Sequence, residues 1–226
     1  MILNIETSSK ICSVALSENG AVEYFLASEK EMDHAASLGP FVEECMKEIK
    51  KKGGELEAVA VSMGPGSYTG LRIGMSLAKG LCFGLDIPLV SVSTLELLAV
   101  KGMFSQMDPA DNALYIPLID ARRMEVYTAV YNNRLEELMQ PSALILDESS
   151  FSDYKDHPLV FIGDGVTKAK DLVVANNATW IDRMPTAADM TALSERAVYE
   201  KEFSNVAYST PFYLKSFHAT TPKNKI

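Results

Sequence analysis

ILNIETSSKICSVALSENG, residues Ile2 to Gly20, is the stretch on which the fold turns. An apolar run ends in the polar cluster Glu6-Thr-Ser-Ser-Lys10, and a second run returns over Ile11–Ser17. Asn19-Gly20 is a strong hairpin turn signal, because both residues accept positive φ, and it leads into a third run, Ala21–Ser28. Three antiparallel strands are therefore expected at the start of the chain. From Asp33 the period changes. Leu38, Phe41, Val42, Cys45, Met46 and Ile49 fall on one face of a helix. Gly53-Gly54 stops it after Lys50–Lys52, cations that suit its C-terminal dipole. Pro40 is expected in its first turn, with Asp33 to Gly39 as a looser lead-in. A buried strand over Ala58–Met63, the turn Gly64-Pro-Gly-Ser-Tyr-Thr-Gly70, a helix to about Gly84, a strand at Pro88–Val92 and a helix from Ser93 or Thr94 follow.

The segment 102–112 (GMFSQMDPADN) reads as a linker, and what comes after it echoes the first half. Pro117-Leu-Ile-Asp120 lies 114 residues after Leu3-Asn-Ile-Glu6, and Val126–Val130 faces Cys12–Leu16 at the same offset. In both places a strand ends in a carboxylate, turns and returns. Leu159–Ile162 with Gly163-Asp-Gly165 likewise echoes the strand and glycine pair at Gly64-Pro-Gly66. The same order in both halves points to a duplication: two similar α/β lobes around a cleft faced by both acid-tipped hairpins. The expected units are 1–102, 103–210 and a tail, 211–226.

Composition limits the chemistry. Thirty Asp and Glu against 21 Lys and Arg leave a net charge of −9 over 226 residues, a poor match to a free-standing nucleic-acid binder. Cys12, Cys45 and Cys82 form no CxxC and sit in apolar segments, as small buried hydrophobes do. No basic n-region opens the chain and no run of 18 residues lacks charge, which reads as a cytoplasmic protein without a membrane span. The three histidines, 34, 157 and 218, have no partner at i+4, so HExxH geometry cannot be built, and Gly64-Pro-Gly-Ser67 is not a GxSxG elbow. No catalytic residue and no metal site is expected.

Two features leave alternatives open. Glu6, Thr7, Ser8, Asp120, Gly163, Asp164 and Gly165 suit a nucleotide clamped between lobes, with turn amides and hydroxyls on phosphate and a carboxylate on hydrated magnesium. Equally, they suit ordinary turn chemistry: Glu6 is a methylene longer than Asp, and Ala121-Arg122-Arg123 lacks the Gly and hydroxyl of a phosphate turn. The second feature is the helix after Gly66. Gly70, Gly74 and Ala78, and again Gly80 and Gly84, recur every four residues, while Leu71, Ile73, Met75, Leu77, Leu81 and Phe83 make the rest apolar. Such a ridge admits close packing, either within the chain or against another chain.

VAVSMGPGSYTGLRIGMSLAKGLCFGLDIPLVSVSTLELLA (Val59–Ala99) resembles the signature of the bacterial tRNA threonylcarbamoyladenosine biosynthesis family TsaB, also called YeaZ. Ile2–Gly20, YIPLIDARRMEVYTAVY (Tyr115–Tyr131) and PFYLK (Pro211–Lys215) match the same family. The resemblance implies an actin-like ATPase (ASKHA) superfamily fold of two RNase-H-like lobes with mixed sheets. It also implies a non-catalytic subunit, related to the catalytic TsaD but without its histidine metal motif. Such a subunit pairs with TsaD and the ATPase TsaE to move threonylcarbamoyl onto N6 of a tRNA adenosine. The partner contact is then implied at His34, Leu38, Phe41, Val42 and Cys45, and at Gly70, Arg72, Gly74, Met75, Ala78 and Lys79. No cofactor is implied for the isolated chain, with ATP or ADP at the complex interface, tRNA met only through the complex, and a homodimer where the partner is lacking. Glu6, usually Asp in the family, and the loop near Leu38-Gly-Pro40 depart from its pattern.

Two other readings compete: an ATP-dependent small-molecule phosphotransferase built on Glu6, Thr7, Ser8 and Asp120, and a metal-dependent glycoprotein endopeptidase, which lacks its ligands here. The tail from Tyr213 carries Lys215, His218, Lys223 and Lys225 with no acid, which reads as a solvated terminus or as the place where tRNA is touched.

Overall fold

The structure is a computed structural model describing residues 1–28, 30 and 33–215. The opening strands form as expected: β1 (Ile2–Glu6), β2 (Ser13–Glu18) and β3 (Ala21–Ala27), each antiparallel to the next. Next come α1 (His34–Lys52), β4 (Ala58–Gly64), α2 (Tyr68–Leu85), β5 (Leu89–Ser93) and α3 (Thr94–Phe104). β4 lies parallel to β1 and β5 parallel to β4, so the first sheet is mixed, in the order β3-β2-β1-β4-β5.

The second half repeats this plan with β6 (Leu114–Asp120), β7 (Glu125–Tyr131), β8 (Glu137–Ile145), β9 (Leu159–Ile162), α4 (Val166–Ala169) and β10 (Ala178–Ile181). Its sheet order, β10-β9-β6-β7-β8, is that of the first sheet strand for strand, with the same parallel and antiparallel pairings. The echo is a structural duplication. It is imperfect where α2, of 18 residues, is answered by α4, of four.

Alternation along each strand sends side chains to two faces. Leu3, Ile5, Val14, Leu16, Val59 and Val61 pack on Leu38, Val42, Cys45 and Ile49 of α1 and on Met75, Ala78 and Cys82 of α2. Ile2, Ala58, Ala60, Val90 and Val92 face α3 on the other side. α3 is wedged between the lobes: Leu97 and Val100 join the first sheet's core, while Leu95, Leu98 and Ala99 meet Tyr115, Ile119, Ala129 and Tyr131 of the second. Burial all around is why its sequence shows no polar face. All three cysteines are buried, as their apolar settings imply, and desolvation pushes the Cys12 and Cys45 thiols up to about 12.

Three expectations need correcting. Pro40 is not in the first turn of α1 but inside it, the helix having begun at His34. A proline there leaves the Ala36 carbonyl without its intrahelical donor, which is tolerable because both residues are exposed and the carbonyl is open to solvent. The linker does not start at Gly102. α3 continues to Phe104, and Gly102 is buried with the position of its absent Cβ only 3.3 Å from the Tyr115 ring. Finally, the unit expected over 103–210 does not stay with the second sheet. A 3-10 turn at Ala187–Met190 and α5 (Thr191–Glu200) pack Met190, Leu193 and Ala197 on the first sheet, and Ser204 pairs with Leu89 at its β5 edge. Among the described residues no helix is long and apolar enough to cross a membrane.

Candidate functional site

The two acid-tipped turns do face each other across a cleft of about 690 Å³. One side is Ser8, Ser9 and Lys10 of the β1–β2 turn with Pro65–Thr69 at the start of α2; the other is Ile119–Arg122, Tyr127 and Asp164; Phe212–Lys215 form a third wall.

The first side is tightly interlocked. Ser67 caps α2, its Oγ accepting from the Gly70 amide at 3.3 Å, and its own amide donates to the Ser8 carbonyl at 2.7 Å. Gly66, Gly70 and Gly74 have no side chain because the turn fills that space. A Cβ on Gly66 would sit 2.5 Å from the Ser8 carbonyl oxygen, and methyls on Gly70 and Gly74 would overlap the Thr7 carbonyl oxygen and Oγ1. Glu6 and Thr7 consequently lie beneath the cleft rather than in it, each fully buried. The Glu6 Oε1 accepts from the Ser8 amide at 2.5 Å, while its Oε2 has no hydrogen-bond partner among the described residues. Burial raises the Glu6 pKa to about 7, the hydrogen bonds from Ser8 only partly offsetting it. From α1, His34 packs under the same turn, 4% exposed, hydrogen-bonded to the Ser9 backbone, with its pKa lowered by burial.

The second side is held by charge. Lys168 donates to Asp120 Oδ1 (2.8 Å) and to the carbonyls of Arg123 (2.8 Å) and Glu125 (2.7 Å), pinning the β6–β7 turn, whose Arg122 and Arg123 both have positive φ. Asp164 accepts from the Asp120 amide at 2.8 Å, and burial raises its pKa. Gly163, at φ +125°, and Gly165 are required by the strand beside them: a side chain on Gly163 would overlap the Leu118 carbonyl oxygen, and a Cβ on Gly165 would lie 2.9 Å from Val126. Of the residues expected to grip a nucleotide, only Ser8, Asp120 and Asp164 line the cleft. Glu6 is sealed below it and Asp120 is already engaged by Lys168, so the set does not form a magnesium–nucleotide grip. Among the described residues no group of three or more His, Cys, Asp and Glu side chains could hold a metal ion.

The helix residues expected at a partner contact divide in the same way. His34, Leu38, Val42, Cys45, Gly70, Gly74, Met75 and Ala78 are buried in the chain's own core; Phe41 and Lys79 are half-buried; Arg72 is exposed. The open face of α2 is instead Thr69, Arg72, Ser76, Gly80, Phe83 and Gly84, a stripe spaced at three and four residues. Phe83 is 85% exposed, and among the described residues nothing lies within 4 Å of a Cβ placed on Gly80 or Gly84. The cleft wall at Phe212–Lys215 was not foreseen. Its signal is PFYLK, whose Tyr213 lands on α2: Arg72 Nε donates to Tyr213 Oη at 3.2 Å, and the Tyr68 and Tyr213 rings lie 5.1 Å apart. His218, Lys223 and Lys225 lie outside the described residues.

Similar proteins match nearly the full length of the chain. A family model described as TsaD, tRNA N6-adenosine threonylcarbamoyltransferase, matches residues 26–216. The tRNA threonylcarbamoyladenosine biosynthesis protein TsaB of Bacillus subtilis is 32% identical over 95% of this chain and 93% of its own length; that of Escherichia coli K12 is 29% identical over 95% and 94%. YeaZ from Pseudomonas aeruginosa superposes with a TM-score of 0.75 at 27% identity, covering 94% of this chain and 99% of that one. The inorganic polyphosphate/ATP-glucomannokinase of Arthrobacter, at 9% identity and a TM-score of 0.51 over 88% of this chain and 98% of that one, shares the fold alone. With two lobes of the same strand order and this similarity over 95% of its length, the chain belongs to the TsaB (YeaZ) family of tRNA threonylcarbamoyladenosine biosynthesis proteins.

Proposed function

We propose that the chain is a non-catalytic subunit in tRNA threonylcarbamoyladenosine synthesis, seated on a TsaD-like catalytic subunit through the open face of α2. Relatives named for this pathway, similar over 95% of the chain, support the pathway. The observation that carries the docking face is the pair Gly80 and Gly84 flanking an exposed Phe83. Helical glycine costs up to about 1 kcal/mol against alanine, and among the described residues no atom lies within 4 Å of where a Cβ on either would stand. Gly70 and Gly74, by contrast, are explained by Thr7. An absence of side chains on an open helix face suits another helix packing close, with Phe83 as its anchor. The burial of Glu6 and the engagement of Asp120 support a supporting rather than a phosphotransferring role. On this reading a TsaE-like ATPase and tRNA are met through the assembled complex in the cytoplasm, and the same face pairs two copies of the chain when the catalytic partner is lacking.

Reconstituted threonylcarbamoyl transfer to tRNA tests this. Activity should collapse when the chain is omitted and should not be rescued by a folded Phe83→Asp variant. Full activity without the chain overturns the reading; full rescue by Phe83→Asp moves the docking face elsewhere.

A further inference from the structure

After α5 the chain does not simply leave the molecule. Ser204 pairs with Leu89 on the first sheet, and Lys79 of α2 grips the next turn, donating to the carbonyls of Ala207 (3.0 Å) and Ser209 (2.9 Å). The Phe212 amide then donates to the Met63 carbonyl at 2.7 Å, at the point where β4 ends. Gly64 is shaped to receive it: at φ +112°, a Cβ there would lie 2.5 Å from the Phe212 carbonyl oxygen. One residue on, the Tyr213 ring lies tilted against that of Tyr68, which also carries the Arg72 guanidinium 4.1 Å above it. The last described residue, Lys215, crosses to the other lobe and pairs with Glu125 at the start of β7. Rooted on one lobe and tied to the other, Phe212–Lys215 close one side of the cleft.

We infer that residues 203–215 are a strap, with Lys215–Glu125 as its latch, that sets how far the two lobes open and so governs entry to the cleft. The root and the latch differ in kind. Ser204, Ala207 and Ser209 are held by backbone pairing and a half-buried lysine. The latch end is exposed, with Phe212 at 39% and Tyr213 at 37%, and its described contacts are a backbone hydrogen bond, a phenol contact, the ring contact with Tyr68 and an ion pair. An ion pair this close to solvent is weak, and segments with few buried contacts open at low cost. The strap therefore has two states, docked and released, separated by a small free energy that cleft contents or a change of charge can bias. The inference concerns the isolated chain and does not depend on the proposed function.

The test places spin labels at Thr69→Cys and Met124→Cys, exposed positions on opposite sides of the cleft, in the otherwise unaltered chain, whose own cysteines are buried. Inter-label distances are expected to be narrowly distributed in the parent and longer and broader in Lys215→Glu. Lys215→Arg, which keeps the charge, should restore the parent distribution. In separate unlabelled chains, alkylation of a Ser9→Cys thiol inside the cleft should run several-fold faster with Lys215→Glu than without it. Lys215 is exposed, so neither change threatens the fold. A parent-like distribution and alkylation rate in Lys215→Glu, or Lys215→Arg as broad as Lys215→Glu, overturns the latch.

Discussion

The Thr7 hydroxyl stands where the side chain of residue 74 would begin, so the β1–β2 turn and α2 fit only because residue 74 is glycine. One turn earlier the Thr7 carbonyl takes the corresponding space at Gly70. Two residue pairs thus lock the cleft's first wall to the helix that carries the open face, and any movement of α2 is felt at Ser8.

Gly74→Ala is expected to destabilise the protein by about 1–3 kcal/mol, the range for overpacking a filled site. Adding Thr7→Ala should recover part of that loss, since the two changes share one contact and are not additive. Gly80→Ala, in open space on the same helix, should instead stabilise by up to about 1 kcal/mol. Denaturant midpoints measure all three. Equal effects at 74 and 80 would show that the helix does not sit against Thr7.

Glu6 makes stability fall as pH rises. Its carboxyl holds a proton up to about pH 7 in the folded chain but ordinarily loses it near 4.5, so the folded state binds more protons between those values. The stabilisation is fully present below about 4.5 and is lost progressively as pH rises to about 7, an effect on the order of 3 kcal/mol. Glu6→Gln keeps the shape without the ionisation and should flatten the profile between about pH 4.5 and 7. If parent and variant lose stability in parallel over that range, the group responsible is not Glu6.

Lys168 is the pin of the opposite turn. Lys168→Met removes its three hydrogen bonds to Asp120, Arg123 and Glu125 and should cost about 1–3 kcal/mol. Amide exchange should accelerate at Ala121–Glu125 while β1 and β4 stay protected. Unchanged exchange in the turn would count against the pin.

Phe83→Asp should leave the unfolding midpoint of the isolated chain within about 0.5 kcal/mol of the parent, as for exposed surface changes. It should abolish co-elution with a TsaD-like subunit. Gly80→Leu, adding bulk where nothing now lies, should do the same. Complexes formed normally by both variants would place the contact on another surface.

Strand–turn–strand order, the burying face of α1 and the duplication were all legible in the residues, because turn chemistry and side-chain periodicity are local. Pro40 misled because a proline is excluded from a helix interior only where the freed carbonyl is cut off from water, and Ala36 is exposed. Asp120 and Asp164 line the cleft, whereas Glu6 lies buried beneath it. No local pattern reports that folding buries a carboxylate one residue before a turn beneath the Ser8 amide.

The sequence by itself determined two like lobes and a helix ridged with glycine. The tertiary structure decided which glycines look inward, Gly70 and Gly74 on Thr7, and which are left open, Gly80 and Gly84. Glycine carries no side chain to declare a face, so only the neighbours brought to it by folding assign one. The same reason governs the strap: its return across α2 to Glu125 joins residues 90 apart in the chain, a pairing set by three-dimensional packing and not by any periodicity.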